Sequence, residues 1–307
     1  MKQRGVALIT AIVLVAIATV LAVRIGTRAS LDLRRTAGLI ALDQGWHVAM
    51  GAEAWAAEVL QDDREDSQTD HPGERWAQPI PPLPVDGGTV RGGLEDMQGR
   101  FNLNNLLTAD GSVSEAEVKR FERLLANVGA DQRWARMTVD WLDDDTVPGF
   151  PQGAEDGDYL AQNPPYRAAN TPITTVTELM ALPGMTVEEY LKIRPFVAAL
   201  PAGSKINLCT AAAPVLAALA AGGADFGDGE ALARNRGDSC FPSIADLQAT
   251  LDAAEFQALQ PVIAETSNWF RAVTVVSIGT SELTLYSLIE RNSAGGSRTV
   301  LRSIGTE

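Results

Sequence analysis

Seven carboxylates fall within nineteen residues, at Asp140, Asp143, Asp144, Asp145, Glu155, Asp156 and Asp158, in a stretch bent by Pro148, Gly149, Gly153 and Gly157. Such a group repels itself unless it is solvated, spread apart or bridged by a cation. Calcium takes about six to eight oxygens from carboxylates, carbonyls and water, which an acidic loop of this kind can offer, whereas magnesium keeps most of its water. The EF-hand pattern is not met. Counting from Asp144, Gly149 takes the sixth place and Glu155 the twelfth, but Thr146 and Pro148 hold the third and fifth. Spacing alone leaves three readings open: a calcium site, a solvated loop, and the paired carboxylates of a glycoside hydrolase.

Other chemistry is sparse. The two histidines, His47 and His71, are too few for a plausible zinc or histidine-based catalytic centre. No phosphate-cradling glycine loop, nucleophile elbow or zinc-protease motif occurs. Residues 176–186 and 206–219 have the pattern of helix-hairpin-helix units, whose backbone N–H groups can hold phosphate. A formal charge of −14 and the scatter of Lys192, Arg194 and Lys205 argue against nucleic acid. Cys209 and Cys240 are enough for one bridge.

These residues need elements to hold them. Val6 to Val23 is uncharged for eighteen residues and follows Lys2 and Arg4. As a helix it matches the thickness of a bilayer, with its basic tip on the cytoplasmic side and the rest of the chain outside. Both cysteines then lie where disulfides persist, and a bridge is expected over a pair of buried thiols, stabilising by about 3–4 kcal/mol. Apolar spacing continues the helix to about Leu60, and the polar run 61–70 reads as a loop. Residues 79–84 are extended, and 87–93 and 94–101 form one or two short strands. Helices are expected over 114–125, opened by a Ser114–Glu117 capping box, and over 131–142, 176–182, 186–199, 211–221, 244–251 and 253–260. Residues 270–278, 282–290 and 298–304 form an antiparallel meander with turns at 279–281 and 292–297. The class is α+β.

The start of the chain, MKQRG followed by VALIT, resembles the leader of the type IV pilin superfamily. The resemblance implies cleavage by a prepilin peptidase between Gly5 and Val6, and methylation of the new terminus at Val6. It also implies a pilin-like fold with a long N-terminal helix and an antiparallel sheet. The helical block, which has no place in a simple pilin, then reads as a large inserted all-α domain. The divisions are leader 1–5, transmembrane and stem helix 6–60, first part of the core 61–100, insertion 101–267 and C-terminal meander 268–307.

WLDDDTVPGFPQGAEDGDYL, PPYRAANTPI and TELMALPGMT are similar to the K-type minor pseudopilins of type II secretion. Thr10 stands where most pilins carry a glutamate, and loss of that acid is a feature of the same group. The resemblance implies structural calcium held by Asp143, Asp145, Glu155 and Asp156, with Asp158 a further candidate, clamping the insertion to the core. It further implies no catalysis, a single pass through the inner membrane with the bulk in the periplasm, and work with the inner-membrane secretion platform. The partners would be the I, J and H pseudopilins in a tip complex that initiates or caps the filament. Two alternatives stand beside it: a membrane-anchored competence-type DNA receptor, and an anchored periplasmic hydrolase.

Overall fold

The computed structural model of the chain describes residues 4–219, 229–236, 239–292 and 296–306. Helix α1 (Arg4–Asp66) runs through 63 residues, about 95 Å at the α-helical rise. Its apolar start is long enough to cross a membrane and is not buried against the rest of the chain. Gly5 and Val6 lie within its first turns. The Thr10 hydroxyl donates back along the helix, 3.1 Å from the Val6 carbonyl and 2.9 Å from that of Ala7. Packing begins near Gly45 and Ala49.

The second half of α1 lies on a five-stranded antiparallel sheet of order β1 (Leu83–Val85), β2 (Gly88–Asp96), β7 (Trp269–Ile278), β8 (Ser281–Arg291) and β9 (Ser297–Ile304). Alternation sets the buried face. Phe270, Ala272, Thr274, Val276 and Ile278 point inward from β7, against Ala49, Val59 and Leu60 of the helix. Glu53 of α1 is 5% exposed and is fastened to the sheet by Arg302, at 2.7 and 2.8 Å, and by the Ser287 hydroxyl at 2.5 Å. Burial opposes its charge, but these donors outweigh burial and hold the carboxyl below its ordinary range.

Strands β2 and β7 are paired along their length, from Gly88 opposite Ile278 to Asp96 opposite Phe270. Everything between them is one excursion that leaves the sheet and returns to the same place. It contains α2 (Glu115–Asn127), α3 (Arg133–Leu142), α4 (Asp156–Leu160), α5 (Val187–Ile193), α6 (Ala213–Leu219), α7 (Gly229–Arg236), α8 (Ile244–Thr250) and α9 (Ala253–Leu259). Two short parallel pairs tie it together, β3 (Phe101–Asn102) with β4 (Val197–Ala198) and β5 (Ile206–Asn207) with β6 (Ile263–Ala264). Its core is its own, built on Leu103, Phe121, Leu124, Trp134, Ile193 and Leu216. Cys209 and Cys240 are joined by a disulfide within it, Cα atoms 4.5 Å apart.

The two ends of the excursion are locked where they meet the sheet. The Asp96 carboxylate accepts from Asn207 Nδ2 at 2.9 Å, from the Ser267 hydroxyl at 2.7 Å and from Thr210. Gln98 donates to the Lys205 carbonyl at 2.8 Å and accepts from the Asn268 N–H at 2.6 Å.

Several expectations shift. The stem helix runs past Leu60 to Asp66, because Asp63 turns inward to Arg291 rather than standing in a solvated loop. The strand reading of 87–101 resolves into β2 and the short β3. Ser114 begins α2, but Glu117 pairs with Arg120 instead of closing a capping box. The helix expected over 186–199 stops at Ile193, where Pro195 forbids its continuation, and Val197 and Ala198 join a strand pair. Residues 176–181 are a 3₁₀ helix. Residues 1–3 of the leader, the last two residues of the helix expected over 211–221 and residues 293–295 of the second hairpin turn lie outside the described residues.

Candidate metal centre

The acidic loop is built outward from the end of α3. Trp134, Thr138 and Trp141 are buried on the inner face of that helix. The same face carries Asp140, 1% exposed, whose carboxylate accepts from the Gly149 N–H at 2.9 Å and so folds the loop back on the helix. The glycines are required there. A Cβ on Gly153 would lie 2.0 Å from Asp140 Oδ2 and 2.3 Å from the Gly149 nitrogen. The chain then enters α4, where the Glu155 N–H donates to Asp158 Oδ2 at 3.2 Å.

This path brings Asp143, Asp145 and Glu155 together, with one carboxylate oxygen from each lying within 4.8 Å of the others. Asp143 and Glu155 are buried, and Asp145 is exposed. Asp143 Oδ1 and both Glu155 carboxylate oxygens are buried without a hydrogen-bond donor. Burial, followed by the charges of Asp145, Asp140 and Asp144, pushes the Asp143 carboxyl up to about 6. Burial, followed by Asp140 and Asp143, pushes Glu155 up to about 7. Buried carboxylate oxygens facing one another without donors are what a hard cation would satisfy, and oxygens within 4.8 Å of one another can share one calcium ion. The donor set fits calcium.

Asp156 is not in this group. Its carboxylate accepts from the Ala168 N–H at 3.2 Å and lies 3.5 Å from Arg167. Asp158 is engaged with the Glu155 N–H. Two residues outside the expected ligand set shape the site. Asp140 organises the loop, and Asn170, held at φ 47°, donates to the Asp145 carbonyl at 3.2 Å while its own Oδ1 is buried without a donor. An asparagine in the left-handed region beside an acidic loop was the signal for the second.

Two family models, both described as type II secretion system protein K, match residues 99–202 and 206–266. Type II secretion system protein K of Pseudomonas aeruginosa is 36% identical over 99% of this chain and 93% of its own length. The Klebsiella pneumoniae protein of the same description is 32% identical over 94% of this chain and 93% of its own. The fold is similar to a chain in the crystal structure of the GspK–GspI–GspJ complex from enterotoxigenic Escherichia coli, with a TM-score of 0.78, 24% identity, and coverage of 89% of this chain and all of that one. The chain belongs to the type II secretion system protein K family.

Proposed function

We propose that this chain is the tip subunit of a type II secretion pseudopilus, initiating or capping the filament. One observation carries the reading: a helical body set on a pilin-like sheet and stem, entering and leaving between the paired strands β2 and β7. A mass of that width obstructs stacking of a further subunit above it. Thr10 supports the same place, since its hydroxyl is turned back onto Val6 and Ala7 and offers no carboxylate to a neighbour's terminal amine.

The leader would be cut between Gly5 and Val6 by a prepilin peptidase, leaving α1 anchored in the inner membrane beside the secretion platform. The I and J pseudopilins, then H, would be its partners. The structural neighbour, from a complex of GspK with GspI and GspJ, supports the first two. Calcium held by Asp143, Asp145 and Glu155 would brace the loop between α3 and α4, with Asp143 and Glu155 on the buried side of the site and Asp145 open to water. The role is structural. The hydrolase reading drew only on the presence of paired acids, and the secretion-family model matches across the acidic loop. The DNA-receptor reading drew on residues 176–186 and 206–219, and the secretion-family models match across both segments.

Co-purification of the full-length chain in detergent with the I and J pseudopilins tests the assignment. A stable ternary complex in calcium is expected; its absence at micromolar concentrations would reject the tip role.

A further inference from the structure

A second group of acids lies far from the loop in sequence, where α1 ends against the sheet. Asp63 is in the last turn of α1, Asp70 follows in the connecting loop, and Glu74 precedes a 3₁₀ turn at Arg75–Ala77. One carboxylate oxygen from each lies within 4.8 Å of the others. Asp63 and Asp70 are buried, and the Glu74 side chain is 9% exposed.

Arg291, at the end of β8, compensates part of this charge. Its Nη1 donates to Asp63 Oδ2 and the Leu60 carbonyl, each at 3.1 Å. Its Nη2 donates to Asp70 Oδ2 at 2.6 Å and the Ser267 carbonyl at 2.8 Å. The guanidinium is therefore spent on the two aspartates. Glu74 turns one oxygen, Oε2, to the Trp76 indole N–H at 2.8 Å and the His71 backbone N–H at 3.0 Å. Its other oxygen, Oε1, is buried with no donor. His71 Nε2 lies 3.5 Å from it, too long for a hydrogen bond. His71 Nδ1 is occupied as acceptor of the Gly73 N–H at 3.2 Å.

Three carboxylates crowd one guanidinium and the His71 ring in a buried place, and Glu74 Oε1 is left there without a hydrogen bond. Carboxylate oxygens within 4.8 Å of one another can share a single calcium ion, whose bonds to oxygen are about 2.3–2.6 Å. We infer that Asp63, Asp70 and Glu74 form a second calcium site, fixing the end of the stem helix to the loop that follows it. The ion shares Asp70 with Arg291, and so ties α1 to β8 and, through the Ser267 N–H on Asp70 at 2.7 Å, to the entrance of β7.

Glu74→Gln is the discriminating change. The amide oxygen keeps both hydrogen bonds made by Oε2, and the new NH₂ faces Asp63 and Asp70 favourably, so the variant folds. Equilibrium dialysis of the full-length chain in detergent, with calcium alone as probe, should count one ion fewer per chain in Glu74→Gln than in the wild type. Trp76→Phe, which leaves all three carboxylates, should keep the wild-type count. In chelator Glu74→Gln should melt at or above the wild type, because a repelling charge is gone; in calcium the order should reverse. Asp63→Asn provides a second variant with the same expected loss of one ion. Equal counts in the wild type and both variants would overturn the inference. So would an unchanged calcium-induced gain in melting temperature in Glu74→Gln. Glu155→Gln measured in parallel keeps the loop site separate: it changes the count through Asp143, Asp145 and Glu155 only.

Discussion

In chelator the acidic loop should make the chain sensitive to alkali, with a sign opposite to that of ordinary paired carboxylates. Asp143 and Glu155 hold their protons up to about 6 and about 7, because burial and neighbouring acids oppose their charges. The unfolded chain loses those protons near pH 4. In chelator, stability is thus complete below about pH 4 and is lost as the pH rises to about 7, where the folded carboxyls finally ionise. One such group gives a slope of up to about 1.4 kcal/mol per pH unit. Water at the exposed Asp144 and Asp145 screens part of this, leaving about 1–3 kcal/mol across the window. Calcium at a hundred times its dissociation constant returns about 2.7 kcal/mol. For a chain of this size that corresponds to about 4 °C in melting temperature. Thermal denaturation at pH 5 and pH 8, in chelator and in calcium, measures both effects. Glu155→Gln isolates the loop's share: its loss between pH 5 and pH 8 in chelator should be smaller, and its calcium gain should shrink. A chelated wild type as stable at pH 8 as at pH 5, or an undiminished calcium gain in Glu155→Gln, would refute the reasoning.

Other consequences are equally open to measurement. Gly153→Ala drives a Cβ into Asp140 and the Gly149 nitrogen, and should cost about 1–3 kcal/mol while weakening calcium binding, read by calorimetry and thermal melting. Arg302→Ala leaves the Glu53 carboxylate buried beside Ser287 without its cation, with an expected loss of about 2–4 kcal/mol in denaturant titration. Glu53→Gln with Arg302→Ala should recover part of that loss. Reducing the disulfide, or Cys209→Ser, should lower stability by about 2–4 kcal/mol, seen as a shift in the denaturation midpoint.

Where the fold was legible, one segment carried its own signal. The eighteen uncharged residues and the helical spacing after them announced α1, and the alternation of Phe270, Ala272, Thr274 and Val276 announced β7. Where long-range partners decide, the sequence is silent. Asp63 looks like part of a solvated acidic run until Arg291 is brought to it from the far end of the chain. Asp156, Gly157 and Asp158 read as loop by composition, yet they open α4 because Asp158 accepts from the Glu155 N–H. Of the acids in the loop, the ones that converge are chosen by the bond from Gly149 to Asp140, which no spacing rule contains. Asp96 and Asn207 were unremarkable for the same reason: their partners Thr210, Ser267 and Asp70 come from three separate segments.

The pairing of Asp96 with Phe270 also governs the order in which the chain can assemble. Joining β2 to β7 by way of an unstructured connection of that length would cost about 4–5 kcal/mol in closure entropy before a single ladder bond repaid it. An excursion that folds first, on its own core, delivers its two ends side by side and removes most of that barrier. The helical body is then a closing device for the sheet beneath it: the β7–β8 and β8–β9 hairpins are local, but the joint between β2 and β7 waits on its completion. Slowing its folding, by a substitution in the Phe121 and Trp134 core, should delay that joint.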